Sequence, residues 1–414
     1  MLLKSIFIFL VIIFSGAGNT FIRSTNAILI LFGISIVYSF IFKLKLTKSF
    51  IQFIIIWSLY FLSNYLVNGY LNYLLFFRIV IYAYISFVFL NLLPIKELLY
   101  QFERIIFVLS AISLILFFVE VLAGNALFSI LSKINLSGGL FSDIISVRYV
   151  NIVVYTILRY PGEMIRNCGF TWEPGPFSIF VAFALLFFYL RTHFAKFLTT
   201  KSIIFILALL TTFSTTGYLM LFVIFLTFLA ISKKINQLNK PFFYFIFLII
   251  FLIVFFETNF LYSKIKELYS VGQTIEYQLN SAARSKTSFS AGRFGGFIIA
   301  QKNFFKSPIL GISGLREYSF GSFGQDYAAI ISGLASIISN YGLFGVFILG
   351  LFLNRGGNII RDVFNASLKY VYILLYLIAL FAFNIHDLLF FFSLLLLGIF
   401  TGYRYHLNYL RKPV

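Results

Sequence analysis

The sequence predicts an all-α polytopic membrane protein, about twelve transmembrane helices with two long segments on the outer face. Three observations carry this. Mean hydropathy is +0.99, with 61% hydrophobic and 11% charged residues, which leaves too little polar surface to cover a soluble fold of 414 residues. Apolar runs long enough to cross a bilayer recur along the whole chain. The lysines and arginines are concentrated in alternate connections between those runs.

Taken in order, the apolar runs set spans at 3–18, 27–42, 50–66, 74–93, 105–123, 174–190, 202–213, 216–232, 241–256, 328–353, 366–384 and 387–403. The first, Lys4 followed by SIFIFLVIIFSGAG, is built like a secretory leader. A second apolar run begins at Ala27, so the first is expected to stay as a span. The stretch from Ser202 to Ser232 is too long for one helix and short for two. It breaks best at FSTTG, 213–217, where hydroxyls and Gly217 satisfy a turn buried in protein. The tenth run is longer than one span requires, and reads as a short outer helix followed by a span starting near Tyr341. The chain is then one integral membrane domain, 1–414, with outer segments at 124–173 and 257–327.

Charge orients it. Placing the N-terminus in the cytoplasm gathers Lys43, Lys45 and Lys48, then Arg191, Lys196 and Lys201, then Lys233, Lys234 and Lys240 on the inner face. Arg355, Arg361 and Lys369, and Arg404, Arg411 and Lys412, join them, whereas the short outer connections carry only Arg23. Positive charge is retained inside, so both termini are expected in the cytoplasm. A basic face beside anionic lipid accounts for much of the formal charge of +19 without nucleic acid. A single cysteine, Cys168, excludes a disulfide framework and a cysteine-based metal cluster.

Function is expected on the outer face, where Arg159, Arg166, Arg284, Arg293 and Arg316 fall in the long segments that escape the charge rule. Guanidinium forks hold phosphate oxygens two at a time and stay charged, so arginines beside hydrocarbon suit a lipid-linked phosphate or pyrophosphate. Pairing with loop carboxylates or lipid headgroups is the plainer alternative. Within RNCGFTWEPGPFSIF, 166–180, the prolines mark the first turn of the sixth span. Glu173 then sits at the positive end of that helix, either as a cap alone or orienting Arg166 or Arg293. Arg78 is costly inside a bilayer, and either reaches outward or lines the same pocket. His386 and Asp387 fall at the outer connection of the last two spans, where Asp387 has a second reading as a helix cap. His193 and His406 fall on the cytoplasmic side. The many Phe and Tyr read as lipid-facing bulk.

The segment from Arg166 to Phe180 resembles the R-x-x-G-x-x-x-E-P pattern of O-antigen and capsular polysaccharide polymerases (the Wzy type), of the superfamily that also holds the O-antigen ligases. The resemblance extends to FSTTG at 213–217, SAGRFGGFIIAQKNFFKSPILGISG at 290–314 with Arg293, Pro308 and Gly311, and SGLASIISNYGLFG at 332–345. It implies a GT-C-like architecture in a bacterial inner membrane. It also implies an inverting, metal-independent glycosyl transfer at the periplasmic face, with no cofactor, that polymerises repeat units of O-antigen, capsule or exopolysaccharide. The donor would be an undecaprenyl-pyrophosphate-linked oligosaccharide. A chain-length regulator and a flippase are the partners it suggests. Arg166, Glu173 and Arg293 would be catalytic, with Arg78, Arg159, Arg284, Arg316, Asp326, His386 and Asp387 binding substrate. The absence of any D-x-D or E-x-D leaves the leaving pyrophosphate to arginines. Candidate acceptors for the attacking hydroxyl's proton are Glu163, Glu173, Glu317, Asp326 and the His386–Asp387 pair.

Two other readings remain. The ligases place a histidine before the glycine corresponding to Gly342 and an arginine after the serine of FSTTGY, and this chain has neither. A flippase or other transporter of lipid-linked glycans would be expected to show related halves and short loops on both sides, which the sequence does not. A purely structural subunit would not need charge at helix mouths.

Overall fold

The computed structural model describes residues 2–69, 71–137, 147–195, 198–231, 289–290, 292–312, 328–365 and 368–401. Helices dominate. They are α1 (Leu2–Gly16), the short α2 (Thr20–Arg23), α3 (Thr25–Ile41), α4 (Lys48–Asn68), α5 (Tyr73–Asn91) and α6 (Ile95–Ser132). After a hairpin of β1 (Arg148–Asn151) and β2 (Thr156–Arg159) come α7 (Pro174–Arg191), α8 (Thr200–Thr211) and α9 (Thr215–Ile231). Then follow β3 (Phe289–Ser290), α10 (Gly292–Lys306), β4 (Ala328–Ala329), α11 (Gly333–Phe364), α12 (Lys369–Ala382), a 3-10 turn at Ile385–Asp387, α13 (Leu389–Leu395) and α14 (Leu397–Phe400). Among the described residues five helices, α4, α5, α6, α7 and α11, are long and apolar enough to cross a membrane, and five more apolar helices have 10–17 residues. The chain is a mostly helical membrane-type protein. The expected ninth span, 241–256, lies outside the described residues.

Local chemistry sets the ends of these helices. Asn19, Ser24, Thr47 and Asn72 accept hydrogen bonds from the first free amides of α2, α3, α4 and α5, and Gly69 closes α4 in a left-handed turn at φ 70°. The expected break between α8 and α9 is present, but as a turn at 212–214 with Phe213 at φ 46°; Gly217, expected in the turn, lies inside α9. The expected break near Tyr341 falls at Gly342, φ 58° and ψ −148°. Hydrogen bonds lost there are replaced by the turn after α10: Leu343 N donates to the Pro308 carbonyl (2.9 Å), Phe344 N to Ile309 (3.0 Å), and Ile312 N to Ser339 (3.0 Å). Irregular backbone inside an apolar helix is tolerated here because protein satisfies it. The sequences around Pro308–Gly311 and Gly342 therefore meet.

Two elements differ from expectation. The expected fifth span is the middle of a 38-residue helix, α6, which bends at Ala123 and continues to Ser132, into the segment expected on the outer face. The last span is two short helices rather than one.

The core is aromatic. Rings of Phe102 and Phe390 stack at 4.2 Å, Phe180 lies 4.8 Å from Phe391, and Phe170, Phe177 and Phe183 are fully buried. The expectation that phenylalanines serve mainly as lipid-facing bulk is corrected for these. At its centre stands α7, buried from Pro174 to Leu190 and packed by α6, α8, α9 and α12. Close approach needs small residues: a Cβ on Gly217 would strike Ser178, whose hydroxyl lies 3.3 Å from that of Ser214. At the opposite end of α7, buried Glu103 of α6 accepts two hydrogen bonds from Arg191 (2.9 Å each) and one from Lys201 of α8 (2.8 Å).

Candidate active site

The stretch 166–180 folds into a cavity wall through one buried side chain. The Asn167 amide nitrogen donates to Ser113 of α6 (3.3 Å) and Thr211 at the end of α8 (3.1 Å), and its carbonyl oxygen accepts from Gly169 N (3.0 Å). Gly169 then turns at φ 53°, with the Phe177 ring packed where a Cβ would stand. This fixes Arg166 on one side of the anchor and Glu173, at the mouth of α7, on the other.

A cavity of about 230 Å³ lies between them. Its lining includes Tyr160, Arg166, Glu173, Pro174, Gly175, Phe213, Ser214, Thr215 and Phe383. Arg166 and Glu173 of the first quoted segment thus face the same space as the FSTTG turn. The Arg166 guanidinium is one-quarter exposed and donates to Glu163 at 3.2 Å, which uses one of its five N–H groups. Burial, with Glu173 and Glu163 adding to it and Arg166 opposing, raises the Tyr160 phenol above its ordinary value. At neutral pH Tyr160 therefore keeps its proton and can donate it in a hydrogen bond.

A second cluster forms where α12 ends. Arg78 of α5 lies 3.4 Å from Asp387 and over the Tyr82 ring at 5.2 Å, and His386 Nε2 is 3.8 Å from the same carboxylate. His386 Nδ1 and Asn384 Oδ1 are buried without a hydrogen-bond partner among the described residues. Phe383, which lines the cavity, is only four residues from Asp387, so their Cα atoms are at most about 14 Å apart. Arg78, His386 and Asp387 do not line the cavity; Arg78 pairs with the residue four positions beyond its Phe383 wall.

The remaining expectations sort as follows. Arg159 is held by Glu120, Nε to Oε1 at 2.9 Å, with Tyr155 on the other carboxylate oxygen at 2.7 Å. It clamps the hairpin to the bend of α6, its guanidinium lying where a Cβ at Gly124 would be. Two cap readings are corrected. Glu173 occupies the cap position of α7 without making a capping hydrogen bond, so it is not a cap alone. Arg166 donates to Glu163. Asp387 does not cap the last span, since Leu388 holds that position and Arg78 takes the carboxylate. Arg293 lies in the first turn of α10, one turn before Phe297, which stacks on Phe381 at 5.6 Å near the end of α12. The side chain of Arg293, and Arg284, Arg316, Glu317 and Asp326, lie outside the described residues. Among the described residues no three His, Cys, Asp or Glu side chains gather as metal ligands would. Ser214 and Thr215 belong to the FSTTG stretch, which the sequence marks as a turn rather than a cavity wall. Tyr160 and Asn167 carry no motif of their own; for Asn167 the signal is an asparagine beside the arginine, before an apolar helix.

No family model matches the chain, and no curated protein or solved structure does either.

Proposed function

We propose that this protein is a membrane glycosyltransferase of the bacterial inner membrane that polymerises polyprenyl-pyrophosphate-linked oligosaccharide repeat units at the outer face, without a metal. The observation that carries this reading is one cavity shared by Arg166, Glu173, Tyr160 and the FSTTG turn at the outer mouth of α7. The donor pyrophosphate would accept hydrogen bonds from Arg166, which Glu163 orients, and from the neutral Tyr160 hydroxyl. The acceptor sugar hydroxyl attacks the anomeric carbon from the face opposite the pyrophosphate. The carbon–oxygen bond to pyrophosphate breaks, its electron pair leaves with the phosphate oxygen, and the hydroxyl proton passes to a carboxylate. Glu173 is the carboxylate in the cavity, and the Asp387–His386 pair lies beyond its Phe383 wall.

The test is chain lengthening by purified protein given lipid-linked repeat units. Loss of a preorganised donor to developing charge costs roughly 10²–10³ in rate. R166A is expected to lose that much, R166K less, and E173Q to lose chain growth while still binding donor. Full-length polymer from R166A would overturn the reading.

A further inference from the structure

A second recess lies away from that cavity, between α4 and α11, with a volume of about 490 Å³. Its floor is aromatic: Phe53, Trp57 and Phe352 are buried there, with the first and last rings 6.1 Å apart. Its rims, Ile56 and Phe347, are exposed along the apolar flank of the protein. The two helices run antiparallel, so Ser49 to Trp57 on one side matches Arg355 to Phe347 on the other. That is eight residues of rise, about 12 Å, most of one leaflet of a hydrocarbon core about 30 Å thick.

The polar end is what selects an occupant. Ser49, Gln52 and Arg355 close the recess at the end of α11 that carries Arg361 and packs Gly357 against Lys369, the first residue of α12. Arg361, further along α11, is paired with Asp362 at 2.9 Å, whereas Arg355 has no carboxylate partner among the described residues. Its Cβ is pressed against Gly398, which lets α14 pack closely and fixes where the arginine leaves the helix. An unpaired guanidinium at the water-facing end of a leaflet-long apolar trough matches one chemistry, a phosphate headgroup with an acyl chain beneath it.

We infer that the α4–α11 recess binds an anionic phospholipid, with the headgroup phosphate on Arg355 and one acyl chain lying along Phe53, Trp57 and Phe352. The lipid would fix the angle between α4 and α11, which also meet where Tyr60 donates to the Asn340 carbonyl (3.2 Å) and stacks on Phe344 at 4.6 Å.

The experiment is native mass spectrometry of the full chain in detergent with phosphatidylglycerol and phosphatidylcholine of identical acyl chains. Wild type is expected to retain phosphatidylglycerol in preference. R355Q should lower that preference about fivefold, as the loss of one basic residue near a lipid surface implies, and R355K should keep most of it. L351W, which fills the trough, should lose both lipids. An unchanged preference in R355Q would overturn the inference, as would full retention of both lipids by L351W. A third arm adds undecaprenyl phosphate: displacement of phosphatidylglycerol by an equal amount of it would reassign the recess to a polyprenyl carrier. None of these outcomes depends on the glycosyl transfer proposed above.

Discussion

The ring of Phe383 lies against the bare Cα of Gly175, in the space a side chain at that position would occupy. Gly175 sits between two prolines in the first turn of α7, and Phe383 ends α12, so two helices from distant parts of the sequence share one cavity wall.

Gly175→Ala is therefore expected to push Phe383 out of its place. Overpacking of this kind costs about 1–3 kcal/mol. Thermal unfolding in detergent should show the loss. G175A/F383L, with a smaller partner, should recover part of it, and a G175A protein as stable as wild type would contradict the packing described.

Glu103 holds three helices with one carboxylate. Glu103→Gln would leave Arg191 and Lys201 facing each other at the end of α7 without a countercharge, at a cost of about 3–5 kcal/mol for one removed partner. The expected readout is a lower unfolding temperature with no change in which face the loops occupy.

Gly342 adopts a backbone conformation that a side chain disfavours, and a Cβ there would meet the Pro308 carbonyl oxygen. Gly342→Ala should destabilise by about 1–3 kcal/mol and loosen the turn after α10. Hydrogen exchange at Leu343 and Phe344, whose amides donate to that turn, should rise first.

Much of this architecture is legible in the sequence because bilayer physics is coarse. Run length and charge placement locate α1, α3 to α5, α7 to α9, α11 and α12, and excess length alone exposes the breaks at 212–214 and Gly342. What the sequence hides is pairing. Arg159 and Arg166 look alike as loop arginines, yet one is spent on buried Glu120 and the other lines the cavity. Only contacts made across the fold separate them. Asp387 next to a helix start is indistinguishable by spacing from a cap until Arg78 of α5 is seen beside it.

His386 gives the fold a pH dependence. Burial, the largest effect, holds its imidazole below the ordinary value of 6.5, Asp387 opposing and Arg78 reinforcing it. The unfolded chain takes up a proton near pH 6.5, the folded protein only at lower pH. Stability is thus unaffected above that value and falls as pH drops from about 6.5 toward the folded pKa. Unfolding temperatures measured from pH 8 to 5 should decline in wild type below 6.5 and decline less in H386N.

Cys168 offers a clean background for locating the loops. It is fully buried, and burial raises its thiol above the ordinary range, so the reactive thiolate is disfavoured. A membrane-permeant maleimide should leave the folded wild type unlabelled. Single cysteines placed at Met164, 66% exposed, and at Leu198, 65% exposed, should then react with a membrane-impermeant maleimide added on opposite sides of the membrane.

Because protein surrounds α7 on every side, its first turn does not sense the thickness or fluidity of the surrounding lipid. A thinner bilayer would tilt the peripheral helices α3 and α4 before it moved Glu173 relative to Arg166. Transfer into detergent or into lipids of unequal chain length should therefore leave the cavity's geometry intact while the outline of the protein changes around it.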